Sequence, residues 1–354
     1  MSSRVTLADV ARRAGVSRTA ASFVLSGRTD MRISETTQQR VLAAADELGY
    51  RPNITARSLR TAVTGTIGLI SDTITISPYA GEVIQGAADT ALEHDRLVFV
   101  AETSGDRDVE HGLLQEMLDR QVDAFLYAAM FTQVREPPEL VRDYPFVLLN
   151  CLAESFDAPA VLPDETEAGA TAARALLDAG HTDRIHVIGG RHDTAETPGG
   201  VVAGRERMAG VEAALADAGT APVSVTECVW HAPEYGYRAV SDLLERHRPS
   251  ALICLNDRLA FGAYQALHQH GLRVPDDVSV ISFDDSDLAS WLRPALTSVA
   301  LPHYELGKTA VMLLVENRRE PGPVRVPMPL RERASVAPPG HVTVRRHNQV
   351  ARRD

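Results

Sequence analysis

Two groups of side chains in this chain have types and spacings suited to chemistry. The first is Arg18, Thr19, Ser22 and Phe23, within LADVARRAGVSRTAASFVL. At 100° per residue they fall on one side of a helix, with Ala20, Ala21 and Val24 on the other. A cation, two hydroxyls and a ring near a helix N-terminus suit the edges of bases in a DNA major groove. The second group is scattered in sequence but shares a position. Ser71, Asp72, Asn150, Asn256 and Asp284 each end or follow an apolar run, and Arg207 lies in the segment after VIGG. With Tyr79, Phe131, Trp230 and His231 nearby, these groups suit a polyhydroxylated ligand. Acceptors and donors pair with hydroxyls, and a ring stacks on an apolar sugar face. For any one of them, a turn or a helix cap is the commoner use of an Asn or Asp after a strand. Only convergence on one crevice makes them a site.

The first group needs a helix to carry it. Leu7, Val10, Ala11 and Ala14 recur at i, i+3, i+4 and i+7, Gly15 ends that helix, and Ser17 is an N-cap for the next. The pattern predicts helix, tight turn, helix, and it also fits a small helical hairpin packed on something else. Ser34 and Glu35 begin a third helix whose apolar stripe is Val41, Leu42, Ala45 and Leu48, stopped by Gly49. Pro52 then suits a first helical position, with about eight residues following before the chain turns β-like. So short a helix is marginal alone in water, so it packs or waits for a partner. Arg51, Arg57 and Arg60 make it basic, and Leu59 has no obvious core to join. A plain linker with a solvated basic face is the alternative.

The second group needs a sheet. From Thr66 onward, apolar runs alternate with amphipathic helices: TIGLI, LVFVA, DAFLYAA, PFVLLN, AVLP, RIHVIGG, VSVTECVW, ALICLN and VSVISFDD. Continuous apolar strands separated by helices predict parallel sheets covered on both faces. About nine such strands over roughly 270 residues are too many for one small sheet, so two doubly wound subdomains facing one another are expected. Ligands of such folds bind beyond the C-terminal ends of the strands, where the second group stands.

Charge divides the chain the same way. The formal net charge is -11, yet residues 1–63 hold ten Arg against five acids, net +5, and the remainder holds 26 basic against 42 acidic residues, net -16. A basic N-terminal module on an acidic body is the asymmetry expected when one part meets phosphate. No run of about 18 apolar residues exists, and charges stand where a signal peptide needs its apolar region, so the protein is expected in the cytoplasm. Cys151, Cys228 and Cys254 are far apart and read as core residues. Gly189 and Gly199 complete no nucleotide-cradling motif. The acidic run at Asp284 to Asp287 fits a metal or a solvated turn, and it has no His or Cys partner. The twelve histidines form no H-x-x-x-H or H-E-x-x-H pair, and no nucleophile stands beside a base, so neither an enzyme nor a cofactor is expected. Two rival classes are weighed. A solute-binding protein shares such a core but has no use for the N-terminal module, and a doubly wound enzyme lacks its signature here.

The sequence resembles the LacI-type (lactose repressor) bacterial transcription regulators along essentially its whole length. The matches are VTLADVARRAGVS, AAADELGYRPN, ARSLR, ALICLNDRLAFGA, VPDDVSVISFDD and RPALTSV, in that order. The resemblance implies an α/β chain with a three-helix helix-turn-helix headpiece over 1–50 and a hinge helix and linker over 51–64. A core over 65–340 follows, with two doubly wound parallel-sheet subdomains like those of periplasmic binding proteins. Those subdomains are expected at about 65–162 with 292–320, and 163–291 with 321–340. The basic tail, 341–354, is expected to be disordered. Carried over by residue, DNA contacts fall on Thr6, Ser17, Arg18, Thr19, Ser22, Phe23, Asn53, Ala56, Arg57 and Leu59. Arg18, Thr19 and Phe23 take base-reading positions, and Leu59 takes the wedge into the minor groove. Asn150, Arg207, Asn256 and Asp284 match effector-contacting positions, His231 falls where many members have an aromatic residue, and Ser71, Asp72, Tyr79 and Trp230 complete the expected effector site. The partners implied are double-stranded operator DNA with palindromic half-sites, a second copy of the chain, and a small metabolite of the kind members sense, often a sugar or nucleobase, here expected to be a sugar or related metabolite. No cofactor, metal or membrane is implied, and the place of action is the cytoplasmic nucleoid. Two departures matter. Phe23 replaces a residue that is often polar, and HVTVRRHNQVARRD lacks the leucine heptad of a tetramerising helix.

Overall fold

The computed structural model describes residues 5–25, 33–50, 63–73, 80–155, 157–191, 200–318 and 322–340. The hinge residues Asn53, Ala56, Arg57 and Leu59, the ring of Tyr79 and the basic tail lie outside the described residues. The chain divides into two compact units, Met1–Gly65 and Thr66–Asp354.

The first unit holds α1 (Leu7–Ala14), α2 (Arg18–Leu25) and α3 (Glu35–Glu47). Thr6 and Asp9 form a reciprocal capping box at the start of α1, and Gly15, at φ 65°, ends it in the left-handed geometry that glycine adopts without a side-chain clash. Val10, Ala11, Ala14, Ala21, Val41, Ala44 and Ala45 form the small core. Alanines on all three helices let the backbones approach. Leu42 departs from the expected stripe: it is 54% exposed. Its place in the stripe is taken by Ala44, because the inward face of α3 runs Val41, Ala44, Ala45 and Leu48.

Among the described residues the second unit contains twelve strands in two six-stranded sheets. The first sheet is built from β1 (Thr66–Ser71), β2 (Leu97–Glu102), β3 (Ala124–Val134), β4 (Phe146–Leu152), β5 (Ala160–Pro163) and β11 (Val324–Val326), in the order β11-β5-β4-β3-β1-β2. The second is built from β6 (Ile185–Gly189), β7 (Ser224–Glu227), β8 (Ala251–Cys254), β9 (Ser279–Asp284), β10 (Thr297–Ala300) and β12 (Leu330–Arg331), in the order β12-β10-β9-β8-β6-β7. The two orders match strand for strand, so β4 and β9 hold equivalent places. Three short C-terminal strands exceed the nine expected, and they move the subdomain boundaries. The stretch 292–320 was expected with the first sheet, yet β10 lies in the second; 321–340 was expected with the second, yet β11 lies in the first. The reason is hydrogen bonding at the sheet edges: β10 pairs parallel with β9, and β11 with β5.

Helices cover both faces. On the first sheet α4 (Ala80–Glu93) and α11 (His303–Val315) pack on one side and α5 (Arg107–Asp119) on the other. On the second, α6 (Glu165–Asp178), α7 (Ala203–Asp217), α8 (Pro233–Arg246) and α9 (Asp257–Gln269) share one core with the strands, and the short α10 (Asp287–Trp291) follows β9. The pair α6 and α7 cross at two glycines. A Cβ on Gly169 would run into the Arg207 carbonyl, and one on Gly210 into that of Thr166. Only hydrogen at those positions lets α7 lie this close to α6. Cys151 and Cys254 are buried, in line with their reading as core residues. Among the described residues no helix is long and apolar enough to cross a membrane.

Candidate functional site

In the first unit, the Ser17 hydroxyl accepts from the Ala20 amide at 3.1 Å and so starts α2. Ala21 is buried against the other helices, which turns Arg18 and Thr19 outward, exposed, and leaves Ser22 and Phe23 half-buried beside them. Thr6 and Ser17 thus act as helix caps, and Arg18 and Thr19 are exposed on α2 while Ala21 is buried.

In the second unit, the polar ends of the strands converge between the two sheets' C-terminal edges. Asn150 ends the core of β4 at φ 59°, and Asp284 ends β9 at φ 101°, both in left-handed backbone that Asn and Asp enter at lower cost than most side chains. These are equivalent places in the two sheets. From the first, Asn150 Nδ2 donates to the Ala129 carbonyl at 3.0 Å, while its Oδ1 lies 2.8 Å from the Thr132 hydroxyl. That hydroxyl also lies 3.3 Å from Glu165 Oε1, on the first turn of α6 in the other subdomain.

Arg207 is the centre of the second subdomain's share. Its Nε and Nη2 donate to Glu165 at 2.6 and 3.2 Å, and Nη1 donates to the Leu255 carbonyl at 2.5 Å and faces Asp284 Oδ1 at 3.5 Å. The guanidinium lies over the rings of Phe283 and Trp230, 4.8 and 5.4 Å from their centroids. Its side chain is 3% exposed and that of Glu165 1%, so the pair is desolvated and holds by bidentate geometry. Burial, with the charges of Asp257 and Glu165 beyond it, pushes the Asp284 carboxyl up to about 7 although Arg207 pulls it down. Burial and the Arg207 charge together hold His303 neutral, its ring pushed down to about 4.

Asp72 is saturated. It accepts from the Thr73 and Met130 amides and from Gln133 Nε2 at 2.8, 3.1 and 2.9 Å, and faces Arg135 at 3.4 Å. Arg135 in turn reaches the fully buried Glu110 at 2.7 Å, which also takes the Tyr127 hydroxyl and Arg107. Ser71 is buried behind Asp72, bonded to it at 3.3 Å. On this side a cavity of about 20 Å³ is lined by Ser71, Met130, Asn150 and His303. A recess of about 370 Å³ lies elsewhere, on the flank of the second subdomain, lined by Arg174, Asp178, Glu332 and Arg333.

The N-terminal residues 6–53 match the family of bacterial regulatory proteins named for lacI, and residues 173–336 match the periplasmic binding protein-like domain. The chain is 33% identical over 319 residues to the ribose operon repressor of Haemophilus influenzae, covering 89% of this chain and 92% of that one. The chain belongs to the lacI family. Among solved structures, the complex of the transcriptional regulator CelR with cellobiose superposes with a TM-score of 0.63 at 27% identity, over 94% of this chain and 100% of that one. The lac repressor dimer bound to operator and the anti-inducer ONPF shares the fold, with a TM-score of 0.72 at 24% identity over 95% and 100% of the two chains. This chain is therefore a DNA-binding transcriptional regulator with a periplasmic-binding-like core.

Within this lacI-family core, some residues expected at the site also make contacts within the chain or stand exposed. Asn256 caps α9, its Oδ1 accepting from the Leu259 amide and its Nδ2 donating to the Trp230 carbonyl, both at 2.9 Å. It holds Trp230, whose Nε1 donates to Gly189, beneath Arg207. His231 is exposed, and its ring meets Tyr235 edge to face at 5.1 Å. Phe131 is exposed on the part of β3 that runs past the expected strand. Glu165, Thr132, Phe283 and Arg135 were not singled out by sequence. Glu165 reads as an ordinary acid in a helix's first turn, and Phe283 as core. The run Asp284 to Asp287 joins β9 directly to α10: Asp285 is taken by Arg331 and Arg333, and among the described residues no cluster suited to a metal occurs.

Proposed function

We propose that this lacI-family regulator is a repressor that binds a palindromic operator as a homodimer and responds to a small, hydroxyl-rich metabolite, a sugar, held between its two subdomains. The observation that carries the reading is the convergence of Asn150, from the first subdomain, with Arg207 and Asp284, from the second, on one polar cluster joined through Thr132 and Glu165. A ligand there touches both subdomains at once. The relatives named for ribose and for a cellobiose complex favour a carbohydrate.

A second copy is favoured by apolar surface at the outer edge of the first sheet. Leu97, Phe99 and Val100 on β2 and Leu92 on α4 are exposed, and Trp291 in the second subdomain is 66% exposed. An apolar strand edge left in water is a surface for pairing. Palindromic DNA reading then follows from two-fold symmetry, with Arg18, Thr19, Ser22 and Phe23 of each headpiece toward a half-site and Leu59 at the centre. The regulator acts without catalysis, in the cytoplasm where the operator is.

A gel-shift and footprint on the DNA upstream of its own gene tests the reading, with Arg18→Ala as the informative variant. Loss of about 1 to 3 kcal/mol confined to one base pair of each half-site is expected. A loss equal on all sequences, with a shallower salt dependence, makes Arg18 a phosphate contact instead. No footprint at any site removes the proposal.

A further inference from the structure

We infer that Glu165 makes the crevice select an uncharged hydroxyl-rich ligand and reject its phosphorylated or carboxylated counterpart; this rests on the effector reading proposed above. A lone buried arginine in a crevice is an anion site, because its planar fork matches phosphate and carboxylate oxygens. Here that fork is occupied. Glu165 takes Nε and Nη2 of Arg207, and the Leu255 carbonyl takes Nη1. Glu165 cannot swing aside into water. It is 1% exposed, rooted on the first turn of α6, and its Oε1 lies beside the Thr132 hydroxyl.

The rest of the cluster opposes an anion as well. A further guanidinium, Arg135 of the first subdomain, is held between Asp72 and Glu110. Glu110 and Asp72 take up Arg107 and Arg135, and Glu165 takes up Arg207, with Asp284 beside it. An incoming phosphate therefore meets cations already neutralised. A hydroxyl meets no such obstacle. It can donate to Asp284 and accept from the N–H of Arg207 Nη2 that Glu165 leaves over, while the Phe283 and Trp230 rings keep the guanidinium in place.

The test uses inorganic phosphate at low millimolar concentration on the full chain, with chloride at equal ionic strength as control, read by thermal midpoint and calorimetry. Wild type is expected to show no saturable phosphate binding. Glu165→Gln keeps the side-chain shape, removes the charge and should bind phosphate at least about tenfold more tightly, a gain within the range of one charge-assisted hydrogen bond. Adding Arg207→Gln to that variant should abolish the gain. Saturable, Arg207-dependent binding to wild type overturns the inference, and so does a folded Glu165→Gln protein that gains nothing. If Glu165→Gln fails to fold in chloride, rescue by phosphate supports the inference and continued failure in phosphate overturns it. Operator release by matched neutral and phosphorylated sugars separates this from the parent reading. Release by a sugar phosphate alone overturns the selectivity and leaves effector sensing standing. Release by no sugar, with the phosphate results as expected, counts against effector sensing alone.

Discussion

Replacing Arg207 by Met is the most demanding test of how the crevice is held together. The side chain is 3% exposed and its partner Glu165 1%, so the substitution leaves a carboxylate in the interior without its cation. Breaking a buried pair from one side costs about 3 to 5 kcal/mol, whereas replacing both partners with apolar residues of similar size is often neutral or stabilising. Arg207→Met should therefore lose about 3 to 5 kcal/mol in urea unfolding followed by circular dichroism, and Arg207→Met with Glu165→Met should recover most of it. Glu165→Met alone breaks the same pair from the other side, so the coupling between the two sites is at least about 3 kcal/mol, at or above the upper end for residues in contact. The loss should depend on pH through Asp284. Its carboxyl stands above its ordinary value in the folded chain, and Arg207 is the first cation that pulls it down. Removing that cation raises it further. A group with a raised folded pKa contributes stability at low pH that is lost as pH rises through the folded value. The deficit of Arg207→Met against wild type should be larger at pH 8 than at pH 5. A single-variant loss under about 1 kcal/mol, or a double variant that sums the two singles, refutes the view of a desolvated pair held by mutual charge.

Gly169→Ala should displace Arg207 without touching its charge, since the new methyl meets the Arg207 carbonyl. A stability loss of about 1 to 3 kcal/mol, typical of overpacking, should accompany weakened effector response, with operator affinity in the absence of effector kept; a change in stability alone limits Gly169 to packing. Asp284→Asn should isolate one titration. The carboxyl shifts from an ordinary 3.8 to about 7, so its cost to folding is absent below about pH 4 and grows up to about pH 7. The stability of the variant relative to wild type should climb over that window by up to about 4 kcal/mol and then stay level. His303 and His186, both pushed down to about 4 chiefly by burial, give the opposite slope in both proteins and cancel in the difference. A difference that does not vary with pH removes the raised carboxyl.

The sheets were legible because parallel strands are buried on both faces and read as unbroken apolar runs; β1, β5, β6 and β8 are buried along their whole length. The last strands were not, for a reason of length. β11 has three residues and β12 two, too few for any periodicity, and what places them is hydrogen bonding to β5 and β10, far away in sequence. At the site, Asn150, Arg207 and Asp284 stood out because a polar group at the C-terminal end of an apolar run is conspicuous. Asn256 stood out equally and proved to be a helix cap that positions Trp230. Sequence cannot separate the two uses, since the distinction is which donor lies 2.9 Å away. Glu165 was invisible for the converse reason: an acid in a helix's first turn is commonplace, and its partner lies 42 residues on.

The bonds across the crevice are individually modest, which suits the effector response proposed above. Val134 and Val202 amides donate to Gly200 and Thr132 carbonyls across the subdomains at 2.8 Å each, and Arg325 forks onto Glu206 at 2.6 and 3.0 Å. A hydrogen bond of this kind is worth about 1 kcal/mol net, and a partly exposed ion pair no more. Together with the Thr132 to Glu165 contact they amount to a few kcal/mol. Allosteric couplings are typically about 1 to 3 kcal/mol, so the ties between subdomains are of a size that ligand binding can tip. Thr132 makes the link specific. Its hydroxyl touches Asn150 on one side and Glu165 on the other, and its carbonyl receives Val202. A ligand that bonds Asn150 and Arg207 must act on the residue that also ties the two sheets together. Under the proposed function, this contact supplies the difference between two arrangements of the subdomains without which no ligand shifts an equilibrium.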